Sequence, residues 1–302
     1  MLSAKTHDEL STYSIGDSGV LRRTARQLKH FIVDPALLRL GYELWPVEPE
    51  WRRRPVSSRE VEKLLKLAAD AIWSVIGTKF VVDKERIRHE VEGFFDTISS
   101  CPVVQLHGGS GFNGGLLLFV LARVLNPEVV IESGVFRGFT TWVLRKACPN
   151  AKIYCFDLTF HSLMYRDKDA TYVDHDWSQF AFAAGELNKS LCFFDDHVDQ
   201  WRRIEEAKAR DADCVIFDDS FPSHKIHCEM SLAIPSAAFL LEESLTDKSR
   251  IEWRAGNGDW DYCFDAVRAA RVRSLCQNIV QLPSLCDQTG YQPASMTWVQ
   301  VG

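Results

Sequence analysis

From residue 116 onward the chain alternates between helical and extended patterns without a break. Helical spacing of apolar residues over Leu116–Leu125, Thr140–Ala147 and Val198–Arg210 is interleaved with short apolar runs at Val129–Glu132, Lys152–Asp157, Thr171–Asp174, Leu191–Asp195 and Cys214–Asp218. Strands joined by such crossovers pair in parallel, and both faces of the resulting sheet are covered by helices. Two more runs, Asn278–Leu282 and Thr297–Val301, have only a loop between them and should pair antiparallel. The expected fold is α/β: a doubly wound, mostly parallel seven-stranded sheet with an antiparallel C-terminal hairpin.

The first hundred residues read differently. Short helices are expected at Arg22–His30 and Pro35–Leu40, and an extended loop from Trp45 to Pro55 whose basic run Trp51–Arg54 should be solvated. Ser57 and Glu60 form a capping box. It opens a helix with Val61, Leu64, Leu65, Ala68, Ile72 and Val75 on one face, ended by Gly77. A second helix follows Asp83, with Ile87, Val91, Phe94, Phe95 and Ile98 at helical spacing. Residues 1–107 are therefore expected to be an N-terminal helical extension, acting as a cap, lid or homo-oligomer element. The glycine-rich stretch 108–115 should be a hinge or a substrate-facing lid, and residues 108–302 the main domain.

In a parallel sheet the C-terminal strand ends lie along one edge, where open α/β sheets bind ligands. Two runs end there in paired acids: Phe194-Asp195-Asp196-His197 and Phe217-Asp218-Asp219-Ser220. Converging like charges repel, so this is poor design for stability alone, whereas a hard cation wants several oxygen ligands. The charge balance agrees. Residues 1–100 carry 16 Lys+Arg against 15 Asp+Glu, leaving 19 against 26 for residues 101–302. An acidic main domain argues against nucleic acid as a partner, since that requires a basic face. Nine cysteines, an odd number without a C-x-x-C pair, suggest reduced thiols and a cytoplasmic protein. No apolar run approaches the ~18 residues of a membrane span.

The first strand leads into Glu132-Ser133-Gly134-Val135-Phe136-Arg137-Gly138, followed by Thr140-Thr141. Glycines at a strand-to-helix turn let the backbone approach a ligand, and the helix N-terminus offers free N–H groups. The spacing E-x-G-x-x-x-G lacks the middle glycine that a dinucleotide pyrophosphate needs. Asp157, at the end of the second strand, is placed to accept hydrogen bonds from ribose hydroxyls. Asp176-Trp177 after the third strand offers an adenine contact and a stacking ring, with a buried core Trp as the competing reading.

This motif resembles motif I of class I S-adenosylmethionine-dependent methyltransferases, in the variant of the macrocin O-methyltransferase and cephalosporin hydroxylase-like group. The acidic tips also resemble those that hold magnesium in catechol O-methyltransferase. The resemblance covers roughly residues 110–302 and implies a Rossmann-like methyltransferase domain. It implies that Glu132, Gly134 and Gly138 bind the methionine part of the cofactor, and that Phe136 also belongs to the cofactor site. It further places Asp157 on ribose, the Asp176–Trp177 region on adenine and Asp195 beside the cofactor. Asp195 or Asp196, with Asp218 and Asp219, would hold Mg²⁺, and His197, with Asp196, would be catalytic, His197 as the base. The related group spaces its metal Asp three residues before the His; here the acids lie one and two before it, so the choice between them stays open. The implied reaction is metal-assisted O-methylation of a small-molecule hydroxyl, on a sugar or a secondary metabolite. The competing readings are a metal hydrolase or iron oxygenase that adds His224 and His227 to Asp219, and a non-catalytic cofactor-binding subunit.

Overall fold

The computed structural model describes residues 49–53, 56–104, 109–228, 233–255 and 258–302. The chain divides into two units, Met1–Pro46 and Val47–Gly302, and the described residues all lie in the second. The helices expected at Arg22–His30 and Pro35–Leu40 lie outside the described residues.

Helices α1 (Glu50–Arg53), α2 (Ser58–Ile76), α3 (Lys84–Ile98) and α4 (Phe112–Leu125) precede the first strand. Then follow β1 (Val129–Ser133), α5 (Phe139–Ala147), β2 (Lys152–Phe156), β3 (Thr171–Val173), β4 (Ser190–Phe194), α6 (Gln200–Lys208) and β5 (Cys214–Phe217). The chain continues through β6 (Arg250–Ala255), β7 (Gly258–Cys263), α7 (Ala266–Ser274), β8 (Cys276–Gln281), α8 (Cys286–Thr289) and β9 (Thr297–Val301). Seven strands form one sheet in the order β3-β2-β1-β4-β5-β9-β8. The first five are parallel, and β9 runs antiparallel to both β5 and β8. This is the expected doubly wound sheet with an antiparallel closing pair. The β6–β7 hairpin, paired from Arg250↔Cys263 to Ala255↔Gly258, stands apart from that sheet and was not expected from the sequence.

Alternate strand residues face opposite layers. Val130, Ile153, Cys155, Leu191, Phe193 and Ile216 pack into one core with α2, α3, α4 and α5. Val129, Ile131, Phe156, Cys192, Phe194, Val215 and Phe217 pack into the other, with α6 and α7. Burial on both sides explains why these strands read as continuous apolar runs.

Several N-terminal expectations are corrected. α2 and α3 share the hydrophobic core of α4 and α5. The run at Trp51 is helical: Trp51 is buried against the rings of Phe112 and Phe139, each at 5.7 Å, and Arg52 donates to the Cys101 carbonyl. Gly77 ends α2 with a right-handed φ of −55°. Its need for glycine comes from the Trp73 ring, which a Cβ would meet at 2.5 Å. Ser57 is the N-cap of α2, but its hydroxyl donates to the Glu60 carboxylate (2.8 Å) and caps no backbone N–H, so the expected capping box is not formed. In the glycine-rich stretch, Asn113, Gly114 and Gly115 belong to α4. A Cβ on Gly115 would lie 2.7 Å from the Phe139 ring, so small residues there bring α4 close to α5.

No helix among the described residues is long and apolar enough to cross a membrane. Cys101, Cys148, Cys155, Cys192 and Cys214 are buried free thiols, where cysteine serves as a small hydrophobe.

Candidate active site

The parallel register brings Ser133, Phe156, Phe194 and Phe217 level at the ends of β1, β2, β4 and β5. The ladder runs one residue further. Gly134 donates to the Phe156 carbonyl (2.9 Å), Asp195 to that of Ser133 (2.8 Å) and Asp218 to that of Phe194 (3.0 Å). Gly134, Asp157, Asp195 and Asp218 thus form the next row, and a cavity of about 470 Å³ opens above it. Its walls include Ser133, Gly134, Phe136, Asp157, Asp176, Asp195, Asp196, His197 and Arg203. That volume lies within the range of small-molecule and cofactor sites.

Gly134 has a φ of +90°, and a Cβ there would sit 2.2 Å from the Asp195 carbonyl oxygen. Glycine is thus required for β1 to pass β4, before any ligand is considered. Gly138 (φ +82°) is constrained in the same way by the Tyr165 carbonyl, 2.3 Å from where its Cβ would be. Asp157 grips this loop from β2: one carboxylate oxygen accepts from the backbone N–H groups of Val135 (2.9 Å) and Phe136 (3.0 Å). Phe136 is held in the left-handed region at φ +48°, with the Arg137 guanidinium 4.5 Å from its ring centre.

Glu132 lies behind the cavity wall. It is fully buried and accepts from the hydroxyls of Thr140 (2.5 Å) and Thr141 (2.6 Å) and from the Cys155 thiol (3.4 Å). In this arrangement its carboxylate ties β1 to the first turn of α5. Trp177 is core: its ring is fully buried 5.1 Å from that of Phe194, and its Nε1 donates to Glu206, so the stacking reading gives way to the core reading. Asp176 lines the cavity but is already gripped by Arg203 and Ser178, which hold it well below the usual carboxylate range although burial opposes them.

The four tip acids separate into distinct roles. Asp195, His197 and Asp219 each bring a ligand-capable atom within 4.8 Å of the other two; among the described residues they form the one such group of three. His197 Nδ1 lies 3.6 Å from Asp219 Oδ2. Both residues occupy the left-handed region, at φ +56° and +48°. For non-glycine residues that is a strained backbone, of a kind that clusters at functional sites. Burial, then the charges of Asp218, Asp219 and Asp196, push the Asp195 carboxyl well above its ordinary range. Asp196 turns away from this group: it accepts from the Ser133 hydroxyl (2.6 Å) and pairs with Arg203 (2.8 Å). Asp218 is buried, with one oxygen accepting from the Ser110 hydroxyl and the other from the Asp219 N–H (3.0 Å). Of the proposed metal residues the geometry groups Asp195 and Asp219, and spends contacts of Asp196 and Asp218 on protein partners.

His224 lies exposed on the 3₁₀ helix Ser223–Cys228, outside the group of three, and the side chain of His227 is outside the described residues. Among the wall residues that sequence reasoning missed are Phe156, Leu158, Thr159, Ser162, His175 and Val198. Leu158 and His175 sit next to Asp157 and Asp176; position beside a strand-end acid was their one available signal. It also missed Arg203, which lies within α6.

No protein-family model and no curated protein matches the chain. Among solved structures, it is similar to the O-methyltransferase TomG from Streptomyces achromogenes, solved in complex with SAM. There the identity is 13%, the match covers 83% of this chain and 94% of TomG, and the TM-score is 0.39. It is similar to cofactor-bound Rv0187 from MTB at 13% identity, over 75% of this chain and 94% of the other, with a TM-score of 0.37. Two forms of CmcI, an apo structure and one with Mg-SAM, match at 14% identity over 41% of this chain, with TM-scores of 0.34 and 0.33. The match spans 57% and 64% of those CmcI chains, less than two thirds of their length. At these identities and scores, the functional reading rests on the geometry of the site itself.

Proposed function

We propose that the chain is an S-adenosylmethionine-dependent O-methyltransferase that uses a divalent cation and acts on a hydroxyl of a small molecule, a sugar or secondary metabolite. The observation that carries this reading is the Asp195–His197–Asp219 group at the edge of a cavity bounded by the β1 glycine turn and the β2 acid. The donor set fits a hard cation: the carboxylates of Asp195 and Asp219, with the Asp195 carboxyl held above its usual range by burial and by the neighbouring carboxylates. The cavity fits a cationic nucleoside, since Asp157, Asp176, Asp195 and Asp196 border it against a single guanidinium, that of Arg203.

When bound, the cofactor supplies a sulfonium methyl group and the cation supplies positive charge that makes a nearby hydroxyl more acidic. The protein does the rest. Asp157 fixes the glycine turn through the Val135 and Phe136 amides, while its second carboxylate oxygen accepts from the Thr159 N–H (3.2 Å) and retains lone-pair capacity for a ribose hydroxyl. Asp195 and Asp219 hold the cation. His197, with Nδ1 turned to Asp219, presents Nε2 to take the proton of the acceptor hydroxyl.

Titration calorimetry with S-adenosylhomocysteine should show saturable binding at one ligand per chain, and NAD at the same concentration should give no heat. Binding of NAD in place of S-adenosylhomocysteine would overturn the reading.

A further inference from the structure

We propose that Arg203 sorts the adjacent carboxylates Asp195 and Asp196 into one cation ligand and one strut, a positioning role that rests on the cation site proposed above. Asp195 and Asp196 are chemically identical and consecutive, at the tip of one strand. Something must decide which of them faces Asp219 and His197. Arg203 is 1% exposed and reaches the cavity wall from the first turn of α6. Its two terminal nitrogens grip Asp176 at 3.1 and 2.6 Å, and they pair with Asp196 at 2.8 Å and Glu206 at 2.7 Å. Three acidic groups thus surround one buried guanidinium, whose planar fork can serve several carboxylates at once. The Ser133 hydroxyl adds a second hold on Asp196.

Two consequences follow for a cation. Arg203 and Ser133 both hold Asp196 Oδ2, and the Val198 N–H donates to Oδ1 (3.3 Å), which fixes Asp196 on that side and leaves Asp195 to join Asp219. The guanidinium also sets positive charge beside Asp196, which keeps a divalent ion from settling on that side. Because Asp176 follows β3 and Asp196 follows β4, the same guanidinium ties the far wall of the cavity to the cation side. A brace that only filled the core would give no such division.

The test is Mn²⁺ binding to the full chain by calorimetry, without cofactor. The intact protein should bind one ion, and Asp219→Asn should remove that binding. Arg203→Met should bind Mn²⁺ about tenfold more tightly, because a nearby positive charge is gone and a carboxylate is released. Asp196→Asn in the Arg203→Met background should return the affinity to that of the intact protein. Asp196→Asn alone, a milder change that tests the proposal even if Arg203→Met does not fold, should leave Mn²⁺ affinity within about twofold, whereas removal of a ligand, as in Asp219→Asn, abolishes binding. Loss of Mn²⁺ binding in Asp196→Asn, or unchanged or weakened binding in a folded Arg203→Met, overturns the sorting role while leaving the cation site standing. Failure of the intact protein to bind Mn²⁺ overturns the cation site and this role with it.

Discussion

Glu132 shows how one buried carboxyl links the site to stability. Burial raises it from an ordinary value near 4.5 to about 7, against the hydrogen bonds of Thr140, Thr141 and Cys155, with the charge of Asp157 adding to the rise. A carboxyl whose folded value is raised stabilises the fold fully below about 4.5 and loses that contribution as pH rises through about 7. A shift of this size corresponds to about 3 kcal/mol. Thermal unfolding of the intact protein should therefore lose part of its stability across that window, and Glu132→Gln should flatten the dependence there. An identical pH profile in the variant would show that Glu132 does not carry the proton. His197 makes a second residue-scale test. His197→Ala should lower kcat by roughly 10²–10⁴-fold, the usual worth of a positioned base, with Mn²⁺ affinity little changed. Loss of Mn²⁺ binding along with kcat would instead make His197 a ligand. At this scale the sequence was legible in part. Acidic tips are visible as residue types, but Asp195 and Asp196 cannot be told apart until Arg203 and Ser133 are placed beside one of them.

At the scale of elements, close packing sets the rules for small residues. Gly115 lies in α4, where alanine would ordinarily be favoured by about 1 kcal/mol. Here a Cβ would meet the Phe139 ring at 2.7 and 2.9 Å. Gly115→Ala should thus destabilise the fold, by about 1–3 kcal/mol as overpacked cores do. Gly93, in α3, is the contrast: its Cβ would find the Phe119 ring at 3.8 Å, an ordinary contact. Gly93→Ala should stabilise by up to about 1 kcal/mol. Denaturant unfolding of both variants checks the pair, and equal effects would refute the packing account. The glycine-rich stretch is where local reading fails most plainly. Glycines suggest a hinge when read singly, yet Gly114 and Gly115 are helical because α4 must approach α5. Trp51 is similar: three arginines beside it suggest a solvated loop, but the Phe112 and Phe139 rings offer it a buried place.

For the whole molecule, the alternation of apolar runs and amphipathic segments determined a doubly wound sheet with an antiparallel closing pair. It did so because strand and helix periods are local, and because a crossover of one helix leaves parallel pairing as its only short route. The same local patterns determined that the acids of β4 and β5 end strands, and that the glycine turn follows β1. What the tertiary structure alone decided is which of these groups meet. Ser110 and Asp218 are 108 residues apart, and Ser133 and Asp196 are 63 apart. Their pairing depends on how layers stack and in which register the strands align, and no local period encodes that. The hairpin β6–β7 was legible by the same local rule: Ile251 and Trp253 alternate with Arg250, Glu252 and Arg254, and Trp260 and Tyr262 with Asp259 and Asp261, the period-two pattern of a half-buried strand. Sequence alone thus set the chemistry available at the sheet edge, while packing chose Asp195, His197 and Asp219 to face one another, because only three-dimensional contact can assign a partner to each of several like charges.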